Sequence, residues 1–274
     1  MKRFFFFFLC FLCAGALNAR TERISLQGDH GRLVADLQTP DVLPEHCPIV
    51  ILCHGFGGER NNALFRSIAD GLEAQGIASI RFDFNGHGES EGDFQQMTVP
   101  NEVVDARRVY EWVKADGRFG RIGITGHSQG GVVTAMLAGQ LGKKALKLGV
   151  VLLAPAGVLR DDAIRGTVAG QPNMKGDPLD PPEYVEVWGR RLGRDYIKTA
   201  FWLPIYETAA GYKGKACIIH GTADRVVPYT YGLRFHQLWR GSEWHLLDRF
   251  DHGLGPDPAQ AVRLSVDFFA KQQK

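Results

Sequence analysis

The chain has 274 residues, 45% hydrophobic and 23% charged, an ordinary balance for a soluble globular protein, and a length that suits one α/β domain with a modest insertion. Removing residues 1–19 takes away Lys2 and Arg3 and no acid, which leaves 30 basic against 30 acidic residues. A chain with no basic excess has no electrostatic footprint for nucleic acid or an anionic membrane, so both are excluded as expected partners.

Met1-Lys2-Arg3 precedes an apolar run over 4–12 and small residues through Ala19. This reads as a signal peptide over 1–19, cut after Ala16 or after Ala19, with export to the periplasm or beyond. An uncleaved anchor is the competing reading, but the run falls short of the roughly 20 apolar residues a span needs. Cys10 and Cys13 lack the small residues that precede a lipidated cysteine. Cys47, Cys53 and Cys217 remain. An odd count without close spacing is no disulfide framework, and the last two sit in apolar runs as small hydrophobes.

Segments 22–26 and 32–38 flank a polar Gly-Asp-His-Gly turn and predict a hairpin. Residues 48–53 (PIVILC) form a continuous apolar run, as expected of a strand covered on both faces. It breaks into His54-Gly55-Phe56-Gly57-Gly58. Leu64, Ile68 and Leu72 recur at helical spacing over 61–75. A strand over 78–84 leads to the loop Asn85-Gly86-His87-Gly88. Thr98 can cap a helix over 98–115. A strand over 121–125, the turn Gly126-His127-Ser128-Gln129-Gly130-Gly131, a helix over 132–141 and a strand over 147–153 follow.

Residues 155–208 break this rhythm with Pro172, Pro178, Pro181, Pro182 and Pro204 and read as an insertion lying over the sheet. Strand 216–220, a helix near 229–239, strand 243–247 and a helix over 258–271 restore it. Strands alternating with helices predict a mostly parallel sheet covered on both faces. The domain reading is a core of 20–154 and 209–274 with a cap over 155–208.

Gly126-His127-Ser128-Gln129-Gly130 is a G-x-S-x-G motif between a strand and a helix, the context of a nucleophile turn. A serine hydroxyl needs a base. His252 lies in a loop between the last strand and the last helix, where α/β sheets place functional side chains. Of the other histidines after Ser128, His236 falls in a helix, His245 in a strand, and His220 ends a strand. Asp224, just beyond a strand end, is the expected acid. Asp248 and Asp251 are its rivals, too close in sequence to His252 for a separate loop. Backbone N–H groups of Phe56 and Gln129 are the expected oxyanion donors. His54 and His87 precede Ser128 in glycine-rich loops and read as structural hydrogen-bonders. No H-x-x-x-H or C-x-x-C spacing points to a metal, and no phosphate-loop pattern is present.

His54-Gly55-Phe56, Asp83-Phe84-Asn85-Gly86-His87-Gly88-Glu89-Ser90, the Ser128 turn, His220-Gly221-Thr222-Ala223-Asp224 and Asp251-His252 together resemble bacterial cinnamoyl (feruloyl) esterases of the α/β-hydrolase superfamily. The likeness covers nearly all of the chain after residue 19. It extends to Ala154-Pro155-Ala156 and Leu203-Pro204-Ile205-Tyr206-Glu207. The resemblance implies an α/β-hydrolase fold, a Ser128–His252–Asp224 triad, no cofactor and a small-molecule ester substrate. It also implies that cap residues bind the phenolic hydroxyl, with Asp162 and Tyr196 at two of the expected positions. A glutamine expected about seven residues after the aspartate is Ala169 here, with Gln171 nearby. Tyr184, Trp188, Tyr196, Phe201, Trp202 and Tyr206 offer flat walls for a planar acid. A peptidase, thioesterase or acyltransferase on the same triad, or a non-catalytic binding protein, are the alternatives. The sequence leaves the oligomeric state open, a homodimer included.

Overall fold

The computed structural model describes residues 20–168, 177 and 179–273. The leader region 1–19, Ala169 and Gln171 lie outside the described residues. In chain order the first half runs β1 (Arg20–Gln27), β2 (Arg32–Thr39), β3 (Cys47–Cys53), α1 (Ala63–Ala74), β4 (Ala78–Phe82), α2 (Val99–Ala115), β5 (Phe119–His127), α3 (Gln129–Leu141) and β6 (Gly149–Leu153). Next come α4 (Leu159–Arg165), β7 (Tyr184–Val187), β8 (Arg190–Gly193), α5 (Arg194–Phe201) and α6 (Ile205–Ala209). The last part is β9 (Ala216–Gly221), α7 (Tyr229–Leu238), β10 (Glu243–Leu247) and α8 (Pro258–Gln272).

Eight strands form one sheet in the order β1-β2-β4-β3-β5-β6-β9-β10. From β4 to β10 every pairing is parallel; β1 and β2 join antiparallel at one edge. The β3 run explains why. Ile49, Ile51 and Cys53 enter a core with residues of α2 and α3, including Val103, Val109 and Val133. Val50 and Leu52 point the other way, into a second core with Phe65, Ile68 and Leu72 of α1 and Phe268 and Phe269 of α8. A strand with period-two side chains and helices on both sides has no solvent face, so it reads as unbroken hydrophobics.

Helix starts are chemically marked. The Asn62 side chain accepts from Phe65 N at 3.0 Å, and Thr98 Oγ1 accepts from Asn101 N at 3.3 Å. Each cap satisfies an orphan donor, worth about 1 kcal/mol. The helix after the serine turn begins at Gln129 rather than at residue 132, because the chain enters α3 directly from the turn.

Between β6 and β9 the chain leaves the sheet. Here α6 packs on α3, α5 on α2 and α4, and the β7–β8 hairpin on the short turn over 94–96 that precedes α2. The hairpin turn is Trp188-Gly189, both at positive φ (50° and 75°). That pair of left-handed residues matches the right-handed twist of two short strands. The three cysteines Cys47, Cys53 and Cys217 are free and buried.

Candidate active site

The serine turn is built by two close chain crossings. A Cβ on Gly126 would stand 2.1 Å from the Gly130 carbonyl oxygen, and one on Gly130 2.1 Å from that of Cys53. Only glycine fits either place. Between them Ser128 takes φ 56°, ψ −121°, a region that a non-glycine residue occupies only when its surroundings hold it there. Those surroundings are hydrogen bonds: Ser128 N donates to Leu153 O at 2.9 Å, and Ser128 O accepts from Ala156 N at 2.9 Å and Gly131 N at 3.0 Å.

The hydroxyl so presented meets the predicted base. Ser128 Oγ donates to His252 Nε2 at 2.9 Å, and His252 Nδ1 donates to Asp224 Oδ2 at 2.8 Å. Asp224 Oδ1 accepts from Val226 N at 2.9 Å and Val227 N at 2.8 Å. His220 Nε2 also donates to Asp224 Oδ2, at 3.2 Å. Burial alone would raise the Asp224 pKa. The bonds from His220 and His252 outweigh it and hold the carboxyl below its usual range. The two rival acids are engaged elsewhere. Asp248 bonds Thr222 and Arg249, and Asp251 accepts from Gly255 N at 2.9 Å.

Gln129 opens α3, so its N–H has no partner within the helix. Phe56 and Gln129 line the same cavity as Ser128 and His252. This cavity holds about 380 Å³. Its apolar walls include Leu64, Phe65, Val158, Leu159, Val226 and Trp188. Asp162 on α4 and Tyr196 on α5 line it too. Asp162 Oδ1 accepts from Thr167 Oγ1 at 2.9 Å, and the Tyr196 hydroxyl donates to Gln129 Oε1 at 2.6 Å. Of the six insertion aromatics, only Trp188 and Tyr196 reach this cavity. Tyr206 instead donates to Tyr231 O and packs on Phe235, Tyr184 lies under Arg191, and Phe201 and Trp202 meet each other, Trp202 being 69% exposed.

Several residues act behind the site. Arg60 is buried and spans three acids: it bonds Asp83, Asp36 Oδ2 at 3.0 Å and Glu89 Oε1 at 2.6 Å. It thereby ties the loop after β3, which carries Phe56, to the loop after β4. His87 Nε2 accepts from Gly57 N at 3.3 Å, and His54 Nε2 accepts from Phe84 N at 3.2 Å. His127 Nε2 donates to the His252 carbonyl at 2.8 Å, which steadies the loop of the base. His127, His220 and Arg60 were not singled out by the sequence reading as parts of the site. The G-H-S-Q-G and H-G-T-A-D spacings contain two of them, but only the fold shows what they touch.

One set of metal-ligand types gathers among the described residues: Cys217, Glu243 and His245, with ligand atoms within 4.8 Å of one another. Local spacing misses it because β9–β10 pairing makes it, Cys217 lying opposite Glu243. Burial pushes the Cys217 thiol above its usual range, so it keeps its proton.

The buried rings give acid sensitivity. Burial is the leading cause in each case: it lowers His54 to about 4, His87 to about 3 and His127 to about 4, from 6.5. An unfolded chain takes up these protons near 6.5 and the folded one does not, so stability falls as pH drops from about 6.5 to 4. Two buried acids oppose this. Asp105 is raised to about 6, and Glu102 lies well above its usual value; both favour the fold at lower pH, but three rings outweigh two acids. The urea midpoint is therefore expected to fall between pH 7 and pH 4.5. A flat or rising midpoint would show that the rings do not outweigh the two acids.

The fold matches solved structures closely. The structure of ferulic acid bound to Est1E from Butyrivibrio proteoclasticus superposes with a TM-score of 0.86, at 26% identity, over 91% of this chain and 99% of that one. The chain has the fold of the α/β-hydrolases. A family model described as Hydrolase_4, serine aminopeptidase S33, matches residues 44–174 of this chain; it contains Ser128 and ends before Asp224 and His252. An uncharacterised 31.7 kDa protein of Escherichia coli is 37% identical over 86 residues, 31% of this chain and 30% of that protein. The lysophosphatidylserine lipase ABHD12 of Gallus gallus is 27% identical over 203 residues, 72% of this chain and 49% of the lipase. The chain thus spans half or less of these two relatives. Among its described residues no helix is long and apolar enough to cross a membrane.

Proposed function

We propose that the protein is an exported carboxylic-ester hydrolase acting through an acyl-enzyme on hydroxycinnamate-type or related aryl esters. The observation that carries the reaction is the unbroken line Ser128 Oγ, His252 Nε2, His252 Nδ1, Asp224 Oδ2, at 2.9 and 2.8 Å, opening on an apolar cavity. Ser128 Oγ attacks the acyl carbon and its proton passes to His252 Nε2. The carbonyl oxygen becomes an oxyanion facing the Phe56 and Gln129 N–H groups. The intermediate collapses, the ester C–O bond breaks, and His252 returns the proton to the departing alcohol. Water then repeats the attack on the acyl-serine, and Oγ leaves with its proton restored. None of these steps uses a cofactor.

The triad does not select the acyl group; the cavity does. Trp188 and Tyr196 give it aromatic surface, and Asp162 gives it a buried acceptor. The likeness to a protein seen with ferulic acid supports the aryl reading. The aliphatic walls and the lipase relative favour a second reading, a fatty acyl ester. Comparing kcat/KM for methyl ferulate, methyl cinnamate and a long-chain fatty ester decides between them. The cinnamate-type esters are expected to win. Asp162→Ala is expected to lower the ferulate-to-cinnamate ratio about tenfold, the size of one hydrogen bond. A preference for the fatty ester rejects the aryl reading, and an unchanged ratio removes Asp162 from hydroxyl recognition.

Export rests on the N-terminal sequence. Mature protein recovered from the producing cell is expected to begin at Leu17 or Arg20, read by N-terminal sequencing. Protein beginning at Met1 would reject the cleaved leader.

A further inference from the structure

The Gln129 side chain turns away from the reaction centre into a buried polar chain. Its Nε2 donates to Glu102 Oε2 at 2.8 Å and approaches Met97 Sδ at 3.4 Å. Its Oε1 accepts from the Tyr196 hydroxyl at 2.6 Å. Thioether sulfur has no proton to give, which fixes the amide with its NH₂ toward α2 and its oxygen toward α5. Glu102, Gln129 and Tyr196 are all almost fully buried. The Tyr196 ring also meets the Phe56 ring edge-on, with centroids 5.9 Å apart. The chain therefore touches both residues whose N–H groups face the expected oxyanion, and it joins α2, the first residue of α3 and the insertion helix α5.

We propose that Glu102 is a positioning residue for the oxyanion site, acting through the Gln129 side chain and tying that site to Tyr196 of the insertion. This rests on the ester-hydrolase reading. Glu102 touches no reacting atom. Burial keeps its carboxyl protonated well above the usual range, and Oε1 has no hydrogen-bond partner, so its contribution is an acceptor at a fixed point rather than a charge. Donors that stabilise an oxyanion act only if held where the charge develops. A loosened Gln129 should therefore lower kcat and leave KM little changed.

The test uses the full-length protein with p-nitrophenyl acetate, whose acyl group carries no ring hydroxyl for Tyr196 to recognise. Glu102→Leu is expected to lower kcat about 10- to 100-fold, below the loss of a whole donor, with KM within about threefold. Labelling of Ser128 by a fluorophosphonate should slow in parallel. Glu102→Gln, which keeps an acceptor and adds no charge, should restore kcat to within about threefold with the wild-type pH profile. Tyr196→Phe should lower kcat as well, and the double variant with Glu102→Leu should be no worse than Glu102→Leu alone, since both act through one side chain. Wild-type kcat in Glu102→Leu, a loss confined to KM, additive effects, or a shifted pH profile in Glu102→Gln each overturn the proposal. Should Glu102→Leu fail to fold, an unchanged kcat in Tyr196→Phe overturns it equally. A wild-type protein that neither hydrolyses the ester nor takes the label removes the ester-hydrolase reading itself, a result no variant comparison produces.

Discussion

Ser128→Ala and His252→Ala are each expected to lower kcat on the order of 10⁶-fold, leaving only what the oxyanion donors and binding supply. The geometry makes the two losses equivalent. Without Oγ there is no nucleophile within reach of Nε2; without the ring, a hydroxyl 2.9 Å from its base keeps its proton and its ordinary weak nucleophilicity. Neither change should unfold the protein. Ser128 carries its backbone strain at φ 56° whatever its side chain, and alanine shares that strain. The His252 carbonyl, not its ring, accepts the bond from His127, so the loop keeps that tether. Steady-state kcat, circular dichroism and fluorophosphonate labelling together check this. Ser128→Ala should take no label and keep the native spectrum. A folded His252→Ala protein with near-normal turnover, or label recovered on another serine, would overturn the assignment.

The sheet was legible where burial on both faces erases ambiguity. The runs in β3, β6 and β9 admit no solvent face, and the glycine-rich exit of β3 marks the end where its loop must turn. The β7–β8 hairpin was not legible. Its strands are four residues each, too short for alternation to register, and Trp188-Gly189 is not the Asn-Gly or Asp-Gly pair that signals such a turn. The hydrogen-bonded line Ser128–His252–Asp224 was legible by order and position: a serine on a glycine-flanked turn, then an aspartate and a histidine each just past a strand end. What stands behind it was not. Glu102 and Tyr196 meet only through Gln129, 27 and 67 residues away, and no local period encodes such a meeting. Arg60 looks like a surface charge in sequence and is among the most buried side chains in the fold. The aromatics of the insertion show the opposite error. Six were candidates to wall the site, yet four pack or project elsewhere, because composition says nothing about which face of a short element turns inward.

The loss on replacing Asp224 by Asn follows from where its four donors stand. Val226 N and Val227 N hold one carboxylate oxygen at 2.9 and 2.8 Å. His252 Nδ1 and His220 Nε2 hold the other at 2.8 and 3.2 Å. Backbone N–H groups cannot change sign, so the amide oxygen of asparagine must face them. Its NH₂ then faces His252 Nδ1. That nitrogen can meet a donor only as an acceptor, which moves the ring proton to Nε2, the atom that must take the Ser128 proton. Asp224→Asn should therefore cost on the order of 10⁴ in kcat with the fold intact, the size expected of a wrong tautomer. His220 would lose its acceptor on the same oxygen but keeps the Val227 carbonyl at 2.9 Å, so the loop should hold. Asp248→Asn and Asp251→Asn touch neither ring nitrogen of His252 and should leave kcat within a few-fold of wild type. The kcat values of the three asparagine variants decide the acid. A mild Asp224→Asn beside a damaging Asp248→Asn or Asp251→Asn would mean that the carboxylate 2.8 Å from His252 is not the one that orients it during turnover.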